Sequence, residues 1–96
     1  MRRCYLVCYD IADQKRLRQV NKILKGYGEP WQFSVFFCVL KDIDRVRLQT
    51  ELEEQMNQKE DQAMILDLGP NQKEARKATT VIGLPLPEPD SGILVI

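Results

Sequence analysis

An α+β fold is predicted for this chain of 96 residues by three observations. Short apolar, β-branched or aromatic runs recur along it, two longer stretches repeat apolar residues every three or four positions, and the two kinds of segment interleave rather than cluster. The length suits one domain, which can bury a core without staples but has little margin.

"RCYLVCYDI", Arg3 to Ile11, is rich in Tyr, Val and Leu without Gly or Pro, which predicts a strand of about eight residues. One side carries Cys4, Leu6 and Cys8 and the other Tyr5, Val7 and Tyr9, so neither is made for water. From Asp13, a candidate N-cap, Leu17, Val20, Ile23, Leu24 and Tyr27 recur at helical spacing, and "GYG" at 26–28 stops the helix. Its opposite side presents Lys15, Arg18, Lys22 and Lys25. "WQFSVFFCVL", Trp31 to Leu40, fits one bent strand or two short ones joined near Ser34. A second helix is expected from about Asp44 to Gln58 on Leu48, Leu52 and Met56, followed by a strand in "QAMILDLG", closed by Gly69 and Pro70.

This order matches a ferredoxin-like βαββαβ sandwich over residues 1–78 with both helices on one sheet face. The other face, apolar along the first strand, predicts a symmetric homodimer. Residues 79–96 read as an extension, with strand-like "TTVIG", prolines at 85, 87 and 89, and an apolar "GILVI" terminus. Those apolar pieces are expected to pair as strands at the dimer or a partner interface.

The formal net charge is zero, yet residues 1–41 hold eight Lys or Arg against three acids, and residues 42–96 hold six against eleven. A basic half suits a nucleic-acid surface; two solvated faces of opposite sign would give the same count. Cys4, Cys8 and Cys38 lack C-x-x-C spacing, which points to a reducing cytoplasm and away from a disulfide framework or zinc site. No apolar run nears the roughly 18 residues of a membrane span, and no signal-peptide pattern opens the chain. A cytoplasmic protein without a membrane partner is therefore expected.

The chain contains no histidine, which excludes Ser-His-Asp and Cys-His nucleophile systems, and neither phosphate-loop nor dinucleotide glycine motifs occur. The remaining candidate is Asp10, ending the first strand ahead of a cationic helix. It is either a loop aspartate capping the following helix or, if two copies meet at a two-fold axis, a pair of hard oxygen ligands for magnesium. In the second case Arg16 or Arg18 would neutralise charge developing on a phosphodiester.

Together, "YDI" closing the first strand, "RLRQVNKILKGYG" on the helix and "QFSVFFCVL" after it resemble the CRISPR-associated protein two family, over roughly residues 3–68. The resemblance implies a role in spacer acquisition. In that role a homodimer bridges two dimers of the CRISPR integrase in a heterohexameric complex and binds protospacer duplex DNA. It also implies a magnesium-dependent endonuclease activity on single-stranded RNA or double-stranded DNA, which some members have and adaptation does not always need. By motif, Asp10 resembles the metal-binding aspartate, with Tyr9 beside it. Arg16 and Arg18 resemble the helix arginines of the nuclease, and Ser34 and Phe36 fall in the "SVF" motif. These six form the expected catalytic set, and Lys15, Arg16, Arg18, Lys22 and Lys25 the expected nucleic-acid surface. Core packing is the competing role for Phe36 and Phe37, as a dimer-interface position is for Tyr9. Where many members place a basic residue before the motif glutamine, this chain has Pro30 and Trp31 before Gln32, which argues against a phosphate contact there.

A stand-alone magnesium-dependent endoribonuclease of toxin-like type is the alternative reading. An RRM-type RNA reader would need exposed paired aromatics in a segment that does not occur.

Overall fold

A computed structural model describes residues 1–88. The elements run β1 (Arg2–Asp10), α1 (Gln14–Lys25), β2 (Gly28–Gln32), β3 (Val35–Lys41), α2 (Asp42–Gln55), β4 (Gln62–Asp67) and α3 (Gln72–Lys77). The strands form one antiparallel sheet in the order β2-β3-β1-β4. Each helical crossover thus returns with one strand left between its two ends, the split βαβ arrangement expected of a ferredoxin-like sandwich.

Alternation along β1 divides the molecule. Tyr5, Val7 and Tyr9 face α1 and α2, where they meet Phe36, Cys38 and Leu40 of β3 and the buried Val20, Leu24, Leu48 and Leu52. Burying each large aliphatic side chain in this layer contributes about 1.5–3 kcal/mol. Burial pushes the Cys38 thiol up to about 12, so it acts as a small hydrophobe and not as a nucleophile. Asp13 caps α1 as expected, its carboxylate accepting from the Arg16 backbone N–H at 2.9 Å. The Tyr27 hydroxyl ties the end of α1 to Glu51 on α2.

Two boundaries depart from expectation, and one open reading is decided. The segment read as one bent strand or two resolves into two, and β2 already begins at Gly28, inside the stretch read as a helix stop. Pro30 is tolerated because β2 lies at the sheet edge, with a register shift between Pro30 and Gln32. Gly28 is required by close approach, since a Cβ there would overlap the Phe37 carbonyl oxygen and the Cys38 sulfur. Helix α2 follows β3 without a loop and starts at Asp42, not Asp44, so both acids sit in its first turn where the helix dipole favours them.

The polar segment after Gly69 forms a further helix, α3. Asn71 caps it, accepting from the Glu74 N–H at 3.1 Å. It packs Ala75 against Cys4 and Phe37 on the face away from α1 and α2. Arg76 fixes it there, pairing with Glu29 at 3.2 Å and lying 5.5 Å from the centre of the Trp31 ring. Trp31 in turn stacks on Phe37 with ring centres 4.4 Å apart. Arg76 also donates to the Pro87 carbonyl at 2.7 Å, drawing residues 79–88 back along the domain. Thr79–Gly83 forms no strand within this chain, its expected pairing being with a second copy or another partner, and the "GILVI" segment lies outside the described residues.

Among the described residues, helix α3 covers only one end of that second face. Leu6, Cys8 and Val35 remain partly exposed beside Met64 and Leu66, which are 51% and 42% exposed. The face expected to be wholly open is therefore half covered by the chain itself. No helix among the described residues is long and apolar enough to cross a membrane.

Candidate nucleic-acid interface

Strand alternation separates two neighbours that the sequence presents together. Tyr9 points under α1 and is buried, whereas Asp10, paired in register with Gln62, shares the parity of Leu6 and Cys8 and sits exposed at the end of β1. The Asp10 carboxylate makes no hydrogen bond or ion pair among the described residues. No cluster of three or more His, Cys, Asp or Glu side chains that could hold a metal ion occurs among them either. At this end of β1 the described residues thus present the Asp10 carboxylate without a cluster of further such side chains around it.

The Tyr9 hydroxyl donates to the Phe33 carbonyl at 3.0 Å and accepts from Asn21 Nδ2 at 3.2 Å. Its backbone N–H donates to the Ser34 carbonyl at 3.1 Å. Tyr9 therefore holds the β2–β3 turn, formed by Phe33 and Ser34, against α1. Ser34 participates here through its backbone. Phe36, expected in the catalytic set, has no exposed surface and packs beside Tyr9 with ring centres 6.3 Å apart. Within this chain it is a core residue, because the parity of β3 turns it toward the helices.

Arg16 also departs from its expected place. Its Nε donates to Asp61 Oδ2 at 2.8 Å, and its Nη2 to Asp61 Oδ1 at 3.2 Å and Glu60 Oε1 at 2.9 Å. Asp61, whose side chain has no exposed surface, further accepts from the backbone N–H groups of Ala12 and Asn57, both at 2.9 Å. The Arg16 guanidinium holds the Asp61 carboxyl well below the usual carboxylate range, with the two backbone donors adding to it against desolvation. The Arg16 pKa is raised in turn, first by Asp61. Arg16 and Asp61 thus build the loop that carries Asp10 into α1, and Arg16 is not free for phosphate. Asp61 gave no sequence signal, because its partner lies 45 residues away.

Lys15, Arg18, Lys22 and Lys25 remain. All four are exposed, and none forms an ion pair among the described residues. The charge split now has a structural meaning. Arg3 and Arg16 from the basic half pair with Asp67, Glu60 and Asp61 from the acidic half, leaving Lys15, Arg18, Lys22 and Lys25 of α1, with Arg2 and Lys41, as the surplus among the described residues. Arg18, Lys22 and Lys25, with Tyr9, Asn21 and Phe33, line a groove of about 490 Å³ between α1 and the β2–β3 turn. Asp10 is not among its lining residues.

A family model described as CRISPR associated protein Cas2 matches residues 2–76. The CRISPR-associated endoribonuclease Cas2 1 of Rhodospirillum rubrum is 48% identical over 66 residues, covering 69% of this chain and 65% of the relative. The CRISPR-associated endoribonuclease Cas2 of Geobacter sulfurreducens is 37% identical over 81 residues, covering 84% and 85%. Crystalline Cas2 of Streptococcus pyogenes superposes with a TM-score of 0.75 at 29% identity, covering 83% of this chain and 99% of that one. A chain of a partial Cas6-RT-Cas1–Cas2 complex superposes with a TM-score of 0.63 at 26% identity, covering 83% and 90%.

Proposed function

The chain belongs to the CRISPR-associated Cas2 family, and from that premise we propose that it is an assembly subunit of spacer acquisition. In this reading a homodimer bridges dimers of the CRISPR integrase and holds protospacer duplex DNA on the cationic face of α1. The observation that carries it is the unpaired row of Lys15, Arg18, Lys22 and Lys25, left after Arg16 is held by Asp61. Cations without carboxylate partners are the groups that phosphate can neutralise at no cost in internal ion pairs. The likeness to a chain solved within a Cas1–Cas2 complex supports the integrase as partner.

The half-covered sheet face supports the dimer. Met64 and Leu66 stand beside Leu6 and Cys8, and a second copy closing over them removes this apolar surface from water. Asp10 shares that face, so the same closure would bring two Asp10 carboxylates together as magnesium ligands. When bound there, the ion supplies Lewis-acid stabilisation of charge at a phosphodiester. Arg18 is the helix arginine free to neutralise phosphate, and Tyr9 positions the adjoining turn. Sedimentation of the full chain at micromolar concentration is expected to give a dimer; a folded monomer throughout that range would remove both the bridge and the shared ligand pair.

The enzyme-first reading is a magnesium-dependent endoribonuclease, and the names of the curated relatives favour its endoribonuclease part. Asp10→Ala separates the two. The assembly reading predicts spacer acquisition near the parent level, with any phosphodiester cleavage abolished. Loss of both together would transfer the central role to catalysis.

A further inference from the structure

Phe33 is 83% exposed at the tip of a two-residue turn, yet its carbonyl is held from within the fold. The buried Tyr9 ties down the carbonyls of both Phe33 and Ser34, and Asn21 of α1 ties down the Tyr9 hydroxyl. The ring has only two side-chain torsions on this fixed base, so it is displayed in water with little freedom to fold away. It stands at the rim of the groove whose other wall carries Arg18, Lys22 and Lys25. Spaced four and three residues apart, these cations form one row about 10 Å long. No carboxylate lines the groove.

An aromatic face opposite a row of unpaired cations is the pairing of groups that binds single-stranded nucleic acid, with the ring stacking on a base and the cations taking the backbone. A duplex buries its bases and cannot use the ring. We propose that this groove binds one unpaired nucleotide, with its base stacked on Phe33 and its flanking phosphates on Arg18, Lys22 and Lys25. Resting on the nucleic-acid reading above, the assignment makes the α1 face a reader of strand ends or single-stranded overhangs as well as a backbone surface. The groove volume, about 490 Å³, lies within the range of small-ligand sites.

The test uses the full chain and three probes: a blunt DNA duplex, the same duplex with a four-nucleotide overhang carrying 2-aminopurine, and the overhang strand alone. Binding of the overhang is expected to quench the 2-aminopurine. Phe33→Ala is expected to abolish that quench and weaken overhang and single-strand binding about 10-fold or more, leaving blunt-duplex affinity unchanged. Phe33→Trp should restore both. An unaltered quench, or an equal loss on blunt and overhang probes, overturns the proposal. So does a variant that binds every probe normally but no longer assembles with the integrase, which would make Phe33 a protein contact. Lys22→Gln with Lys25→Gln reports separately on the duplex surface. If that pair leaves blunt-duplex binding intact while Phe33→Ala still removes the overhang preference, the duplex reading fails and the nucleotide groove stands. A parent chain that binds none of the probes overturns both.

Discussion

Replacing Lys22 and Lys25 together by Gln is expected to weaken duplex DNA binding by orders of magnitude at moderate salt and to flatten its salt dependence. Each neutralised phosphate contributes about 0.9 to the logarithmic salt slope, so losing two cations lowers the slope by roughly 2 for each chain in contact. The effect should be large because neither side chain has a carboxylate partner among the described residues that would reduce its pull on phosphate. Fluorescence anisotropy with a labelled duplex between about 50 and 200 mM salt measures it. An unchanged slope would place the DNA on another surface. Both positions are exposed, so the fold should tolerate the exchange.

Phe36→Ala is expected to cost about 3–5 kcal/mol of folding stability. That is a large share of the stability of a small domain, and the melting temperature should fall by more than about 10 °C. The ring has no exposed surface and sits between Tyr9 and the buried residues of α1 and α2, where truncation leaves a cavity. Urea denaturation would read the loss directly. Any nuclease or DNA-binding defect of this variant then follows from the fold. A variant that kept its melting temperature but lost cleavage would return Phe36 to the site.

The two variants mark what could be read from residues alone. Helix α1 was legible because its apolar residues, its Asp13 cap and its cationic row all obey one helical period, and the same period exposes Lys22 and Lys25. Alternation along β1 was legible too, and it already implies that Tyr9 and Asp10 face opposite ways. The Arg16–Asp61 pair was hidden, since nothing local tells a free arginine from one held by an acid across the fold. Helix α3 was missed for a different reason. Six residues with Ala75 as their one buried side chain give no periodic signal, and the helix is held by Arg76 reaching Glu29 and the Trp31 ring. That contact also explains why Trp31 occupies a position where the resemblance led one to look for a cation. The aromatic anchors α3, while cations without an ion-pair partner among the described residues stand on α1. Gly28 was read as part of a helix stop because its need for a missing Cβ arises from Phe37 and Cys38, across the sheet.

The central claim is that this chain serves spacer acquisition by holding DNA on the α1 cations, independently of any cleavage. The most direct measurement is spacer acquisition in cells carrying a repeat array and the cognate integrase, with the Lys22→Gln and Lys25→Gln pair supplied in place of the parent chain at equal abundance. Acquisition is predicted to fall to background while the variant remains folded and bound to the integrase. Acquisition at the parent level by that folded variant would contradict the claim.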